Sequence, residues 1–451
     1  MNSESATTAA TLERSALDWR RVSALGIAIA ISGNFSGWNY GLAVSGWSSM
    51  LIDAVAMAVM FFALAQCLAE LAAAFPEGAG FDYYVREGFG PAAGWICGFA
   101  LAVALAIGTG LAASFSAAYF EALTGMGGWP IKLAMFAVII GLQLRGAREV
   151  AGLTVVTGAV VVTVLITFFV FAAFHFSAAN LMRAEAVSAH ATPASILACV
   201  PFALFLFLGV EQAAQAAAET RDPSRTMPKA LGFAVFVAAA LGLATLLFAT
   251  ATADVGKLSV SDDPLFTAVM AHAGAPGASI MTHVVSVGAL VALLATFFSL
   301  AYAASRQIYH LARAGDLPAI LAVTNRRHAP WVALVATAAC GVFAAAFRPD
   351  AVMVVFIFLI CVSYLLVLGA FIRLRFSAQS RSRPYRAVGG PVMAAVGFLF
   401  VLAVVASCYQ LRPAALSWCS AGLALALAYF LVRSRISRST TCHSHSSTGS
   451  P

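Results

Sequence analysis

Residues 31–41 read Ile31-Ser32-Gly33-Asn34-Phe35-Ser36-Gly37-Trp38-Asn39-Tyr40-Gly41 and interrupt an apolar run that is long enough to cross a bilayer. A second apolar run, in the other half of the chain, is interrupted by Phe207-Leu208-Gly209-Val210-Glu211-Gln212. Such breaks leave backbone groups that lipid cannot satisfy, so they must face protein or a buried cavity. Interrupted segments at corresponding positions of two halves indicate the binding site of a membrane carrier.

The rest of the chain has the composition of a polytopic membrane protein. Of its 451 residues, 61% are hydrophobic and 10% are charged, whereas a soluble domain carries about 25% charged residues. The predicted fold is therefore an all-α membrane protein. Apolar windows of about 17–25 residues predict twelve spans: 22–43, 48–73, 92–120, 129–144, 151–177, 194–218, 228–251, 278–304, 331–347, 351–372, 388–411 and 413–432.

The basic residues predict the orientation of these spans. If both termini are cytoplasmic, all but five of the 26 Lys and Arg fall on the cytoplasmic side, the exceptions being Lys132, Arg183, Lys257, Arg348 and Arg412. This distribution satisfies the positive-inside rule and accounts for the formal net charge of +7. Because the basic residues are spread over many loops, they predict no nucleic-acid partner.

Five spans in one unit and five in the next predict an inverted repeat, because an odd number of spans makes the second unit enter from the opposite side. The predicted segments are a cytoplasmic tail (1–21), a first repeat (22–177), a second repeat (194–372), two additional helices (388–432) and a disordered cytoplasmic tail (433–451). Both interrupted helices are the first of their unit. Substrate is therefore expected between spans one and six.

The two breaks contain the candidate binding residues. Hydroxyl, amide, aromatic and backbone groups come from Ser32, Gly33, Asn34, Phe35, Ser36, Gly37, Phe207, Gly209, Glu211 and Gln212. Glu211 stands out because an ionisable side chain inside a membrane helix is costly and needs a reason. Its carboxylate either receives a substrate ammonium or ties the unwound segment to neighbouring structure, and the sequence leaves both interpretations open. The eight cysteines are scattered singly, so no metal or cofactor site is predicted.

Three further charged residues are candidates for gating. Asp53 lies near the outer end of span two, while Glu70 and Arg86 lie near the inner end, where they are predicted to form a gate network. A solvated rim of charges would show the same residues. For Asp53, a carboxylate near the interface that reaches water is the alternative to a cation-attracting vestibule.

The chain resembles the amino acid/polyamine/organocation transporter superfamily over residues 22–432. Besides the first break, the resemblance rests on Ala69-Glu70-Leu71 with Phe75-Pro76-Glu77-Gly78-Ala79-Gly80, on Gly209-Val210-Glu211 with Ala218-Glu219-Thr220-Arg221-Asp222-Pro223, and on Ser305-Arg306 with Ala312-Arg313-Ala314-Gly315-Asp316-Leu317-Pro318. Within it, residues 31–41 are similar to the ethanolamine permease branch.

That resemblance implies a five-plus-five inverted repeat and a secondary carrier that works by alternating access. Together with the helical spans, it also implies a bacterial cytoplasmic membrane as the location. Ethanolamine is the first candidate substrate, and a zwitterionic amino acid, carried by symport or exchange, is the alternative. A proton or a sodium ion is the candidate coupling ion. An intramembrane enzyme is not predicted, because the sequence has no His-x-x-x-His, Gly-x-Ser-x-Gly or paired intramembrane aspartate pattern.

Overall fold

Helices run through the whole described part of the chain, and prolines begin many of them. The structure is a computed structural model that describes residues 18–75, 80–145, 151–186, 192–220, 222–377 and 382–446. Pro91, Pro193, Pro223 and Pro349 occupy first-turn positions, where a missing N–H costs nothing and the fixed φ favours the helix.

Sixteen α-helices are found in these residues. They are α1 Trp19–Ala30, α2 Tyr40–Ala74, α3 Phe81–Phe89, α4 Pro91–Thr124, α5 Trp129–Leu144, α6 Ala151–Phe174, α7 Ala178–Ala186, α8 Pro193–Phe205, α9 Pro223–Thr252, α10 Val255–Leu258, α11 Pro264–Met270, α12 Ala278–Arg313, α13 Trp331–Ala344, α14 Pro349–Phe376, α15 Gly390–Leu411 and α16 Pro413–Ser446. Three 3-10 helices add Ile31–Asn34, Val210–Glu219 and Ala319–Ala322.

The expectation of an all-α membrane protein is confirmed. Within the described residues, eight helices are long and apolar enough to cross a membrane, and α5, α8 and α13 are shorter apolar helices. The helix α2 includes both the end of the first predicted span and the whole of the second. Gly46, with φ of 81°, marks the kink between these two parts.

Two predicted boundaries differ from the structure. The helix α1 begins at Trp19, inside the predicted tail 1–21, because the Asp18 side chain accepts a hydrogen bond from the Arg21 backbone N–H and caps the helix. The remainder of that tail, residues 1–17, lies outside the described residues. At the other end, α16 continues to Ser446 through the tail predicted to be disordered. No glycine or proline occurs between Gly422 and Gly449 to stop it.

Contacts between loops define two faces of the bundle. We call the side where α1 begins the N-terminal face and the other side the distal face. On the N-terminal face, Arg86 pairs with Asp316 at 3.3 Å. On the distal face, Arg412 pairs with Asp350 at 2.8 Å, and the Lys132 ammonium donates to a backbone carbonyl at the end of α13. Segments that were predicted to lie on the same side of the membrane therefore contact one another.

Helices of the two predicted repeats pack against each other. The helix α4 packs along α12, and α2 packs along α9. Each pair joins the third or the second predicted span of one repeat to the span of the same rank in the other. The first spans also meet, since α1 contacts the 3-10 segment Val210–Glu219. The two interrupted helices consequently lie side by side at the centre of the bundle.

Candidate functional site

The first break is held open by side chains from neighbouring helices. Between α1 and α2, the Asn34 side chain donates to the Ile31 carbonyl at 3.2 Å and accepts from the Thr245 hydroxyl of α9 at 2.8 Å. The Tyr119 hydroxyl of α4 donates to the Phe35 carbonyl at 2.7 Å. The Trp38 indole N–H donates to the Asn34 carbonyl at 3.0 Å. Protein groups thus replace the helical hydrogen bonds that the break lacks.

The second break is capped by its own glutamate. Gly209 has φ of 109°, a conformation that favours glycine. The Glu211 carboxylate accepts from the Gly209 backbone N–H at 2.9 Å and from the Gln212 side-chain amide at 3.1 Å. The Tyr364 hydroxyl of α14 lies beside this carboxylate. Glu211 is buried and lies in the first turn of the following 3-10 segment, where a negative charge is favourable.

Two glycines let the breaks touch. A Cβ added to Gly33 would lie 2.4 Å from the Phe205 carbonyl oxygen, and one added to Gly209 would lie 2.5 Å from Cγ2 of Ile29. Neither position can hold a side chain without a shift of the neighbouring residue. Each of these glycines therefore packs closely against the helix that leads into the other break.

A small cavity lies beside the two breaks. Its volume is about 60 Å³, several times the roughly 10–15 Å³ that one water molecule needs. Among the described residues that line it, Glu211 is the one ionisable side chain. Five of the predicted binding residues contribute to the wall: Ser32, Gly33, Gly209, Glu211 and Gln212. Their role in binding stays a prediction, but the structure brings them together.

The other five predicted binding residues lie away from the cavity wall. Asn34 faces α9, and the Phe35 carbonyl is bonded to Tyr119 as described above. The Phe207 ring stacks on Phe61 with ring centroids 5.7 Å apart. Gly37 donates its N–H to the Asn39 side chain, while the Ser36 hydroxyl donates to a loop carbonyl. These residues stabilise the conformation of the breaks and do not line the cavity.

Much of the cavity wall consists of residues that no sequence pattern identified. It comes from Gly108 and Phe115 of α4, Thr296 of α12 and Phe356 of α14. Each of these residue types is common in membrane helices, and nothing in its spacing distinguishes it from packing. Only the tertiary arrangement shows that these positions face the breaks.

A short loop segment closes over the first break on the distal face. We call residues 255–270, which contain α10 and α11, the lid. The Asn39 side-chain amide donates to the Leu258 and Ser261 carbonyls, both at 2.8 Å. The Ser36 hydroxyl donates to the Asp262 carbonyl at 2.8 Å, and the Tyr40 hydroxyl donates to the Asp262 carboxylate. Burial raises the pKa of this carboxyl, although the Tyr40 hydroxyl opposes the shift.

The expected gate network is divided between separate contacts. Glu70 is completely buried and binds the guanidinium groups of Arg375 and Arg383 rather than Arg86. Its carboxylate also accepts from the Ala387 backbone N–H. Closeness along the chain suggested a link between Glu70 and Arg86, but the end of α14 brings Arg375 to Glu70 and the 382–389 loop brings Arg383. Glu77, a second acidic residue near this rim in the sequence, lies outside the described residues.

Asp53 differs from the expected vestibule charge. It is buried on α2, with 2% of its surface exposed, and Oδ2 has no hydrogen-bond partner among the described groups. Because the Asp53 carboxylate is buried, it does not reach water. The structure therefore also differs from the alternative interpretation of Asp53 as a side chain at the membrane interface. No group of three His, Cys, Asp or Glu suited to a metal ion occurs in the residues that the structure covers.

An all-helical bundle with two interrupted helices beside a cavity is typical of membrane transporters. A sequence model of the amino acid permease family matches residues 17–431, so the chain belongs to this family of transporters. It is 24% identical to a probable GABA permease of Pseudomonas aeruginosa over 393 residues, which are 82% of this chain and 81% of the relative.

Two other relatives carry substrate names. The chain is 28% identical to the lysine-specific permease of Escherichia coli over 75% of its own length and 72% of the relative. It is 24% identical to the L-asparagine permease of the same organism over 70% and 66% of the two chains. These named relatives are amino acid permeases that differ in charge and size of substrate.

Proposed function

We propose that this permease carries a small amino acid across the bacterial cytoplasmic membrane by alternating access. Its substrate lies in the cavity between the two breaks, with the ammonium group next to Glu211. The observation that carries the proposal is the position of Glu211, the one ionisable side chain among the described residues of the cavity wall. A substrate carboxylate would bind backbone N–H groups at the breaks.

Ethanolamine is the second candidate substrate. It has the same ammonium group and no carboxylate, which suits a described wall that contains one acidic and no basic side chain. The similarity of residues 31–41 to the ethanolamine permease branch supports it, whereas the names of the relatives support an amino acid. The two candidates therefore differ in whether the site has to bind a carboxylate.

The N-terminal face is proposed to be cytoplasmic. This assignment puts most of the arginines inside, as the positive-inside rule requires, and the lid on the outside. Transport then requires the lid to leave the first break, which means breaking the hydrogen bonds of Ser36, Asn39 and Tyr40. An inside-negative potential alone would drive a monocation inward by about 2.3 kcal/mol per 100 mV. A zwitterion gains nothing from that potential, so its accumulation needs a coupled proton or sodium ion.

Uptake into proteoliposomes tests the proposal. The purified full chain is reconstituted, an inside-negative potential and inward proton and sodium gradients are imposed separately, and uptake of labelled alanine, GABA, lysine and ethanolamine is measured. We expect saturable uptake led by a small amino acid and dependent on one ion gradient. Uptake led by ethanolamine and driven by potential alone would favour the second candidate. Absence of saturable uptake of all four compounds would overturn the proposed function.

A further inference from the structure

A larger cavity lies between α5, α6 and α12. We call it the α5 groove; its volume is about 1570 Å³. Apolar side chains line most of its length, and two of them on α5, Val138 and Leu142, are 59% and 48% exposed. From Ile131 to Arg145 it follows about 21 Å of helix at 1.5 Å per residue. That length is most of the roughly 30 Å hydrocarbon thickness of a bilayer.

Three arginines line the N-terminal-face end of this groove: Arg145, Arg306 and Arg327. The Arg327 guanidinium donates to the Arg145 carbonyl at 3.1 Å, and the Arg306 guanidinium lies 3.5 Å from the centre of the Tyr302 ring. Within the described residues, no ion pair links any of the three to a carboxylate. The groove thus joins an apolar channel to a cluster of cations that lack a described counter-charge.

We propose that the α5 groove binds one anionic phospholipid. One of its acyl chains lies between α5 and α12, and its phosphate contacts Arg145, Arg306 and Arg327. Guanidinium groups bind phosphate oxygens in a bidentate manner, and basic pockets between membrane helices suit anionic lipid head groups. A zwitterionic lipid fits less well, because its ammonium would add a further cation to the cluster.

The lipid site is separate in position from the amino acid cavity but adjoins it. Ile29 and Thr296 border both spaces. A small solute would leave most of the apolar length of the α5 groove unfilled, whereas an acyl chain covers it. The proposal does not depend on the identity of the transported substrate.

Native mass spectrometry of the delipidated full chain tests the lipid site. Phosphatidylglycerol and phosphatidylcholine with identical acyl chains are titrated, and binding of the first lipid molecule is compared. We expect phosphatidylglycerol to bind more tightly by roughly tenfold or more. The triple variant Arg145→Gln, Arg306→Gln, Arg327→Gln should lose this preference. Equal binding of the two lipids by the unmodified protein, or an unchanged preference in the triple variant, would overturn the proposal.

Matched control variants distinguish lipid binding in the α5 groove from a general effect of positive charge on this face. A second triple variant replaces Arg313, Arg373 and Arg433 by Gln, removing three cations at the same face outside the groove, and should keep the preference. Val138→Trp fills the groove without changing charge and should weaken binding of the first lipid; unchanged binding would contradict the proposal. If the first triple variant does not fold, the three single variants should each show a reduced preference. Displacement of the lipid by excess amino acid would assign the groove to substrate instead.

Discussion

Both breaks lack helical backbone hydrogen bonds, but different groups compensate in each of them. The first is held from outside, by Thr245, Tyr119 and the lid, and one of its own polar residues, Asn34, points to α9. The second is held from within, since Glu211 caps the Gly209 N–H of its own segment. The first break is therefore coupled to parts that surround it, while the second places an acidic group at the cavity. The comparison suggests that the first break responds to gating and the second to substrate.

The largest effect is expected where the two breaks touch. Gly209→Ala adds a Cβ 2.5 Å from Ile29 at a φ of 109°, and Gly33→Ala adds one 2.4 Å from the Phe205 carbonyl. Overpacking costs about 1–3 kcal/mol, so both variants should unfold at lower temperature in detergent and transport poorly. Gly141→Ala on α5 meets no atom within 4 Å and is the control. If all three variants melt alike, the breaks do not depend on close contact.

Glu211→Gln should have the next largest effect and distinguishes the second break from the first. The amide still accepts from Gly209, so the break remains capped, but the negative charge is lost. Hydrogen bonds to charged groups contribute about 1.5–3 kcal/mol, which predicts a roughly tenfold to hundredfold loss of uptake at low substrate. Glu121→Gln, at the exposed end of α4, removes a charge elsewhere and should transport normally. Normal kinetics in Glu211→Gln would mean that the carboxylate is structural.

Asn34→Ala should affect stability without changing substrate recognition. It removes the hydrogen bonds to Thr245 and to the Ile31 carbonyl, each a net contribution of about 1 kcal/mol. The expected result is a lower melting temperature with an unchanged substrate ranking in competition assays. Thr245→Val tests the same contact from α9 and should lower the melting temperature less. A changed substrate ranking in Asn34→Ala would place Asn34 in the binding site and end the contrast between the breaks.

The smallest expected effect is a pH dependence of the lid. Burial raises the pKa of Asp262 when the lid is closed, so the closed lid is favoured at low pH and loses that advantage as pH rises through the raised value. Tyr40→Phe removes the hydroxyl that opposes the shift and should strengthen this dependence. Hydrogen exchange of residues 255–270, corrected for intrinsic rates, measures it. Asp262→Asn should abolish the dependence; its persistence there would assign the effect to another group.

Some of the candidate site was predictable because local chemistry requires it. Gly209 and the glycines of residues 31–41 disrupt a helix wherever they occur, and Glu211 is costly in a membrane without a function. Glu70 shows the limit of this reasoning. Its acidic character near a loop predicted an ion pair, but its partners are Arg375 at the end of α14 and Arg383 in the 382–389 loop, 305 and 313 residues further along the chain. Which cations reach Glu70 therefore depends on how these distant segments pack beside α2.

The membrane-spanning helices, their order and the position of both breaks are all predictable from local properties of the chain. They follow from apolar length, the lack of polar partners in lipid and the backbone preferences of glycine and proline, which act over a few residues. Which polar groups face the cavity, which support the breaks and which close the lid depends instead on how the helices pack. These roles depend on contacts between segments that are distant in the sequence, such as Asn34 with Thr245 and Asn39 with Ser261. No local sequence pattern predicts such contacts.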